Sequence, residues 1–277
     1  MSHSSARRSN SAAIRRFRTT VYRYFLAHKR DLPWRHTHDP YRILVSEIML
    51  QQTQIPRVIE KYGQFIHRFG TIRSLAKAPL STCLTAWQGL GYNRRAVFLH
   101  RLAKEVVRAH SGEIPRSVEA LETLPGIGHY TARAVCAFAF NIPSVFIETN
   151  IRSVFIHHFF NGKANVRDDA LLPLIEASLD TKDPRSWYSA LMDYGTHLKK
   201  LHGNPSRKSA HHTRQSAFAG SDRQIRGAIV REMIRTKRAV KKDLYRICPD
   251  HERLRRIITS LVNDGMLSER DGVLRIR

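Results

Sequence analysis

The apolar residues between positions 14 and 200 recur every three or four positions, as in Leu99, Leu102 and Val106. This spacing places them on one face of an α-helix. Alternating apolar and polar runs, which predict β-strands, are scarce in this range. Asp39 followed by Pro40 marks a helix start, because proline suits the first helical position. The pattern predicts an all-α fold for this part of the chain.

The composition points to an acidic partner. Lys and Arg total 47 against 23 Asp and Glu, a formal net charge of +24 in 277 residues. Such a balance is typical of proteins that bind nucleic acid or an anionic membrane surface. No run of 18 apolar residues is present, which excludes a membrane-spanning helix. The chain has only three cysteines, the scattered Cys83, Cys136 and Cys248, which cannot make a disulfide framework and indicate a reducing compartment.

Shifts in composition divide the chain into four segments. The first 18 residues contain no acid and are rich in Ser, Arg and Ala, a composition shared with transit peptides. We favour a disordered arm that contacts DNA phosphates. The stretch from His197 to Ser216 contains five Lys or Arg, four His and no acid. The predicted segments are a disordered basic arm (1–13), a helical domain (14–196), a basic connector (197–220) and a small C-terminal domain (221–277).

The C-terminal segment has the pattern of a winged helix. Apolar periodicity predicts helices around 225–233, 241–246 and 254–262, and Asp271-Gly272 between short apolar runs predicts a β-hairpin. Its 15 Lys or Arg against eight acids give +7. This charge fits a domain that contacts DNA, and a packing or partner module is the alternative.

The stretch from Leu124 to Ala132, LPGIGHYTA, predicts a tight turn between two helices. Gly126 and Gly128 supply the backbone freedom that such a turn requires. Backbone N–H groups at the start of the second helix, next to His129, are suited to bind a phosphate. This is the helix-hairpin-helix pattern of DNA binding without sequence specificity, and a simple helix connector is the alternative.

Glu47 lies in a helical run whose neighbours are apolar: Ile43, Leu44, Val45, Ile48, Met49 and Leu50. Apolar surroundings disfavour the charged form of a carboxylate and predict a raised pKa. A group of this kind suits general acid catalysis near neutral pH. The alternative is a solvent-facing glutamate on an amphipathic helix.

Five motifs follow one another along the chain: Leu32 to Arg35, Ser46 to Gln54, Trp87 to Tyr92, Leu124 to Ala132 and Leu191 to Gly195. With these motifs the chain resembles the helix-hairpin-helix (HhH-GPD) DNA glycosylase superfamily, and within it the MutY-type adenine glycosylases, over roughly residues 14–200. The resemblance implies a two-lobed helical fold that binds a nucleotide rotated out of the duplex.

The resemblance also assigns catalytic roles. It implies that Glu47 is the general acid that protonates the departing base. Glu148 occupies the position of the family's second carboxylate, an aspartate, and is therefore expected to stabilise positive charge on the sugar. Asn150 is expected to orient that carboxylate. Tyr130 replaces the lysine with which bifunctional relatives form a Schiff base, so base removal without strand cleavage is expected.

Further positions are expected to contact DNA. Gln51 and Gln52 match the region that enters the gap in the base stack, and Tyr92 matches a tyrosine that intercalates beside the opposite base, with a core aromatic as the alternative. The remaining predicted DNA-binding residues are Arg35, Gly126, Gly128, His129, Lys199, Lys200, Arg207 and Lys208.

Two family features are missing from the sequence. Residues 196–220 contain no cysteine, so we expect no iron–sulfur cluster and no other cofactor. His202, His211 and His212 lack nearby carboxylates or thiols, and we expect a basic loop there instead of a metal site. The C-terminal segment is too short for the domain with which MutY-type relatives recognise 8-oxoguanine.

These observations predict a monofunctional DNA glycosylase that removes a mispaired base, with adenine as the first choice. Thymine or uracil opposite guanine is the second candidate. A non-catalytic DNA-binding regulator is the candidate from another class. We expect a monomer that acts on double-stranded DNA in the cytoplasm or nucleoid and has no membrane partner.

Overall fold

The computed structural model describes residues 2–214 and 217–277 and divides the chain into two units. The first comprises Met1–Pro40, Arg116–Glu119 and Gly128–Arg214, and the second comprises Tyr41–Pro115, Ala120–Ile127 and Gln215–Arg277. The helices of the described residues are α1 (Ser2–His28), α2 (Pro40–Leu50), α3 (Ile55–Arg68), α4 (Ile72–Lys77), α5 (Leu80–Ala86), α6 (Arg94–Ala109), α7 (Val118–Glu122), α8 (His129–Phe140), α9 (Thr149–Phe159), α10 (Asp168–Ser178), α11 (Pro184–His202), α12 (Asp222–Thr236) and α13 (His251–Asn263).

The first unit packs α1, α8, α9, α10 and α11 around an aromatic core. Phe17 of α1 meets Trp187 of α11 edge-on, with ring centroids 5.9 Å apart, and meets Phe155 of α9 at 5.0 Å. Phe146, on the segment before α9, stacks on Tyr188 at 3.9 Å. Burial of these large rings, together with the aliphatic residues around them, stabilises this unit.

The second unit begins with five helices, α2 to α6. Pro40 starts α2, as the sequence predicts, and α2 is buried along most of its length. Its core includes Phe65 of α3 and Trp87 after α5, whose rings meet edge-on at 5.8 Å. The helical periodicity of the sequence therefore translates directly into the all-α fold.

The C-terminal residues of the second unit form a winged-helix arrangement. Strands β1 (Arg238–Val240), β2 (Leu267–Arg270) and β3 (Val273–Ile276) make an antiparallel sheet in the order β1-β3-β2. Asp271 and Gly272 join β2 to β3 with φ of 51° and 72°, the left-handed pair that a two-residue hairpin turn requires. The helix predicted over 241–246 is instead a 3-10 turn over Lys241–Leu244.

Two segments, the predicted basic arm and the basic connector, contain regular structure that the sequence did not predict. The helix α1 extends back to Ser2, so it includes described residues of the predicted basic arm. The basic connector contains a 3-10 turn over Pro205–Lys208, and Val166 pairs with Ser209 in a β-bridge. No helix of the described residues is both long and apolar enough to cross a bilayer.

Candidate active site and nucleic-acid interface

Glu47 lies on α2, where every residue from Ile43 to Met49 is buried. The residue is only 6% exposed. It is therefore not the solvent-facing glutamate of an amphipathic helix, which was the alternative. The burial predicted from its apolar neighbours is therefore present at this carboxyl.

Glu148, in the first unit, is the N-cap residue of α9. Its Oε1 accepts hydrogen bonds from the backbone N–H groups of Asn150 and Ile151 at 2.7 and 2.9 Å, and its Oε2 accepts from Asn150 Nδ2 at 3.2 Å. The helix N-terminus favours a negative charge at this point. Glutamate is a less common cap than aspartate, and here its longer side chain still closes the same bonds.

Asn150 connects this carboxylate to a half-buried lysine. Lys199 on α11 donates a hydrogen bond from Nζ to Asn150 Oδ1 at 2.8 Å. The bond fixes the amide so that its nitrogen faces Glu148. Burial lowers the pKa of Lys199, and the nearby Glu148 charge acts in the opposite direction. Lys199 therefore positions the amide, which differs from its predicted role as a phosphate contact.

Gly195 lets α11 approach the first turn of α9. A Cβ atom at Gly195 would lie 2.6 Å from the carbonyl oxygen of Asn150 and 2.7 Å from its Cβ. No side chain fits in this space. Glycine inside a helix costs roughly 0.5–1 kcal/mol relative to alanine, and the close contact of the two helices is what this glycine makes possible.

Tyr130 is the second residue of α8 and is half-buried. Its ring meets Phe146 edge-on, with centroids 5.6 Å apart. Phe146 in turn stacks on Tyr188, whose hydroxyl donates to the carbonyl oxygen of Ser144 at 2.6 Å. The aromatic core therefore holds a phenol at the position where bifunctional relatives have an amine.

The two glycines of the hairpin have different roles. Gly126 has a φ of +81°, and a Cβ there would lie 2.6 Å from the Cβ of Phe98. Gly128 caps α8 with an extended backbone and has open space around it. Exposed His129 follows and accepts a hydrogen bond at Nδ1 from Arg133 at 2.7 Å. The arrangement leaves the N-terminus of α8 accessible to a phosphate.

Arg95, which the sequence analysis missed, joins the two segments that carry the predicted base contacts. It is 9% exposed and donates hydrogen bonds to five carbonyl oxygens and one hydroxyl. Burial lowers its pKa to about 10, so it remains charged at neutral pH. The acceptors are the carbonyl oxygens of Ile48, Met49, Gln51, Leu90 and Gly91 and the hydroxyl of Thr53, at 2.6 to 3.2 Å.

The residues next to Arg95 adopt left-handed backbone conformations. Gln52, in the turn after α2, has a φ of 55°, and Tyr92, before α6, has a φ of 47°. Gln52 is exposed, Gln51 is half-buried, and Tyr92 is 37% exposed, so Tyr92 is not a core aromatic. Strained conformations of this kind concentrate at functional sites.

Arg35 differs from its prediction as a DNA contact. It donates from Nη1 and Nη2 to both carboxylate oxygens of Asp193 at 2.8 Å, and Arg30 binds the same carboxylate at 2.5 Å. Burial raises the pKa of Asp193, but the bonds from the two arginines outweigh it, and the pKa lies below its ordinary value. Arg35 therefore stabilises the first unit from within.

The other predicted phosphate contacts lie on the surface of the first unit. Lys200 on α11 is exposed, and so are Arg207 and Lys208 in the 3-10 turn. Main-chain bonds of 2.9 Å, from Val166 to Lys208 and from Ala210 to Val166, hold this turn in place. These three cations are oriented by ordered backbone and remain predicted DNA contacts.

A cluster of metal ligands is not found in residues 2–214 and 217–277, where no group of three or more His, Cys, Asp and Glu side chains is placed to hold an ion. The three cysteines are free and buried. The ring of His202 stacks on His157 at 4.8 Å. The described residues therefore do not provide the set of cysteine thiolates that would hold an iron–sulfur cluster.

These features define a helical protein with a hairpin suited to DNA and carboxylates held at defined helix positions. Residues 45–174 match the family described as HhH-GPD superfamily base excision DNA repair protein. The chain is 34% identical over 267 residues to the adenine DNA glycosylase of Mycolicibacterium smegmatis, covering 87% of this chain and 89% of that protein.

Two further comparisons point to the same superfamily. The thymine/uracil-DNA glycosylase of Methanothermobacter thermautotrophicus is 33% identical over 182 residues, covering 64% of this chain and 82% of that protein. The solved structure of a thermostable thymine-DNA glycosylase superposes with a TM-score of 0.63 at 29% identity, covering 71% of this chain and 92% of that one. The chain belongs to the HhH-GPD superfamily of base excision DNA repair proteins.

Proposed function

We propose that this chain is a monofunctional DNA N-glycosylase that removes adenine from mispairs in duplex DNA. The observation that carries the proposal is the similarity to an adenine DNA glycosylase over 87% of the chain, within which Glu47 is a buried carboxyl on α2. Because a stacked base cannot be reached inside a duplex, the target nucleotide rotates out of the helix.

In the proposed reaction Glu47 donates its proton to the departing base. The N-glycosidic bond breaks, its electron pair stays with the base, and positive charge develops on the sugar. Glu148 stabilises that charge, and its carboxylate is held for this role by the N-terminus of α9 and by Asn150. Water then adds to the anomeric carbon and returns its proton to Glu47.

Tyr130 determines the product. A phenol cannot form an imine with the sugar, so the reaction leaves an abasic site in an intact strand. The exposed cations Lys200, Arg207 and Lys208 support binding to the phosphate backbone. We propose that the protein works as a monomer in the nucleoid and without a bound cofactor.

Thymine or uracil opposite guanine is the second candidate substrate. It is supported by the similarity to the thermostable thymine-DNA glycosylase structure, which covers 71% of this chain. A non-catalytic DNA-binding regulator is the weaker candidate, since a regulator has no need for a carboxyl held at a buried position.

Alkali-revealed cleavage of defined duplexes separates these candidates. The panel contains A:G, A:C, G:T and G:U mispairs and a fully paired duplex. We expect excision of adenine from A:G and A:C; excision confined to G:T and G:U would support the second candidate, and no excision from any duplex would support the regulator.

Glu47→Gln provides the catalytic test. It removes the proton donor and keeps the shape, so we expect excision to be lost while mismatch binding stays within a few-fold. Glu60→Gln is the matched control, because Glu60 is an exposed glutamate on α3. Wild-type turnover in Glu47→Gln would remove this residue from the mechanism.

A further inference from the structure

The winged-helix residues are fastened to α6 through one aspartate. The carboxylate of Asp264, directly after α13, forms an ion pair with Arg94 of α6 at 3.2 Å. The backbone carbonyl of Asp264 accepts a hydrogen bond from Arg101 of α6 at 3.1 Å. Arg226 of α12 binds the same carboxylate at 2.5 Å. Asp264 is therefore bound by arginines of both α6 and α12.

This joint places one residue of α12 against the turn that precedes α6. Arg223 lies one helical turn before Arg226 and on the same face. Its Nη1 donates to the hydroxyl of Tyr92 at 2.6 Å, and its guanidinium carbon lies 5.7 Å from the centre of the tyrosine ring. Arg95 approaches that ring at 5.5 Å.

The resulting group has the chemistry of a nucleobase contact. Tyr92 is 37% exposed, and exposed aromatic rings provide stacking platforms for bases. The planar guanidinium beside it is the side chain that pairs with O6 and N7 of guanine, the commonest specific protein–base contact. The hydrogen bond to Tyr92 holds that guanidinium at the edge of the ring.

We propose that Arg223 is a specificity-determining residue, which reads guanine in the strand opposite the excised base. This inference rests on the proposed function, because it concerns the partner of the target base. It assigns recognition of the opposite base to the winged helix, beside the turn that carries Tyr92, in addition to any contact of this domain with phosphates.

The test compares guanine with two analogues, of which only one lacks a major-groove acceptor. Duplexes carry the target adenine opposite guanine, 7-deazaguanine or hypoxanthine. The first analogue lacks N7, and the second keeps both N7 and O6. Equilibrium binding is measured together with single-turnover excision, so that the readout for Arg223 does not depend on catalysis.

The wild-type protein is expected to bind guanine and hypoxanthine duplexes alike and the 7-deazaguanine duplex about tenfold more weakly. Arg223→Met should abolish this difference. Arg231→Met is the matched control, because it removes the same charge from an exposed position on the same helix, and it should keep the difference. Arg223→Lys keeps the charge without the planar fork and should behave like Arg223→Met.

Several outcomes would overturn the inference. One is a wild-type protein that does not distinguish guanine from 7-deazaguanine in binding. Another is an Arg223→Met variant that weakens all three duplexes equally, which is the behaviour of a phosphate contact. Thermal unfolding verifies that each variant is folded. If Arg223→Met does not fold, the Arg223→Lys variant provides the test. If the wild-type protein excises no adenine but keeps its binding preference for guanine, the proposed function is refuted, and the contact between Arg223 and guanine is not.

Discussion

Replacing Arg95 with methionine tests whether one buried side chain organises the predicted base-contacting turns. Methionine keeps much of the apolar stem and removes the six hydrogen bonds that Arg95 donates to the turn after α2 and the turn before α6. A hydrogen bond from a charged group contributes about 1.5–3 kcal/mol, and a buried carbonyl left without a donor costs about 1–3 kcal/mol. Because the six hydrogen bonds share one guanidinium group, their energies are not additive. We therefore expect Arg95→Met to lower the free energy of unfolding by about 4 kcal/mol.

The assay is urea unfolding followed by circular dichroism, with thermal unfolding in parallel. At about 2–4 °C per kcal/mol for chains of this size, the melting temperature should fall by about 10 °C. Arg95→Lys should recover part of the loss, since it keeps the charge and three donors but not the fork. Arg108→Met on the exposed side of the same helix is the control and should leave the melting temperature unchanged. A loss below about 1 kcal/mol in Arg95→Met would mean that water replaces the guanidinium, and would refute the reasoning.

Three further predictions concern the first unit and the hairpin. Gly126→Ala should destabilise the protein by about 2 kcal/mol because of its left-handed backbone, whereas Gly128→Ala should leave the melting temperature nearly unchanged; equal effects would contradict the hairpin geometry. Burial and the neighbouring His157 lower the pKa of His158 to about 4. The unfolded chain therefore binds more protons than the folded protein between about pH 6.5 and 4, and the free energy of unfolding decreases as the pH is lowered through that window. His158→Gln should reduce this decrease by about 2 kcal/mol. An unchanged pH dependence of stability in the variant would assign the effect to other groups. Borohydride should not trap the wild-type protein on DNA, and Tyr130→Lys should gain weak trapping; robust wild-type trapping would show that another amine attacks the sugar.

Local signals in the sequence were sufficient for most of the elements. The start of α2 at Pro40 and the turn at Asp271-Gly272 follow from backbone preferences of single residues, which do not depend on the rest of the fold. Strand β1, only three residues long, was missed because so short a run contains no measurable alternation. The segment from Lys241 shows the opposite error, since its helical spacing is realised as a 3-10 turn.

Contacts between distant residues explain what the sequence did not reveal. The carbonyl groups that Arg95 binds from α2 and the following turn lie more than 40 positions before it, and main-chain acceptors leave no trace in the residue types. Arg35 was assigned to DNA because nothing marks Asp193 as its partner 158 positions away. The pairing of Arg223 with Tyr92 spans 131 positions. Glu47, by contrast, has apolar neighbours on both sides in the sequence, and this local pattern predicts the burial that the structure shows. Its catalytic role was inferred from the family resemblance.

The contact between Gly195 and the first turn of α9 has a consequence for how substitutions in this protein are tolerated. A methyl group at this position would push on the backbone of Asn150. It would therefore displace the side-chain amide of Asn150 and the carboxylate of Glu148 to which that amide is bonded. In a mutational scan scored by DNA repair, position 195 should therefore be as intolerant as the charged positions of the first unit, although it contributes no reacting atom. A library that reports only loss of function would mark Gly195 as part of the reaction. Only a measurement of folding on the same variants would show that Gly195 acts by having no side chain.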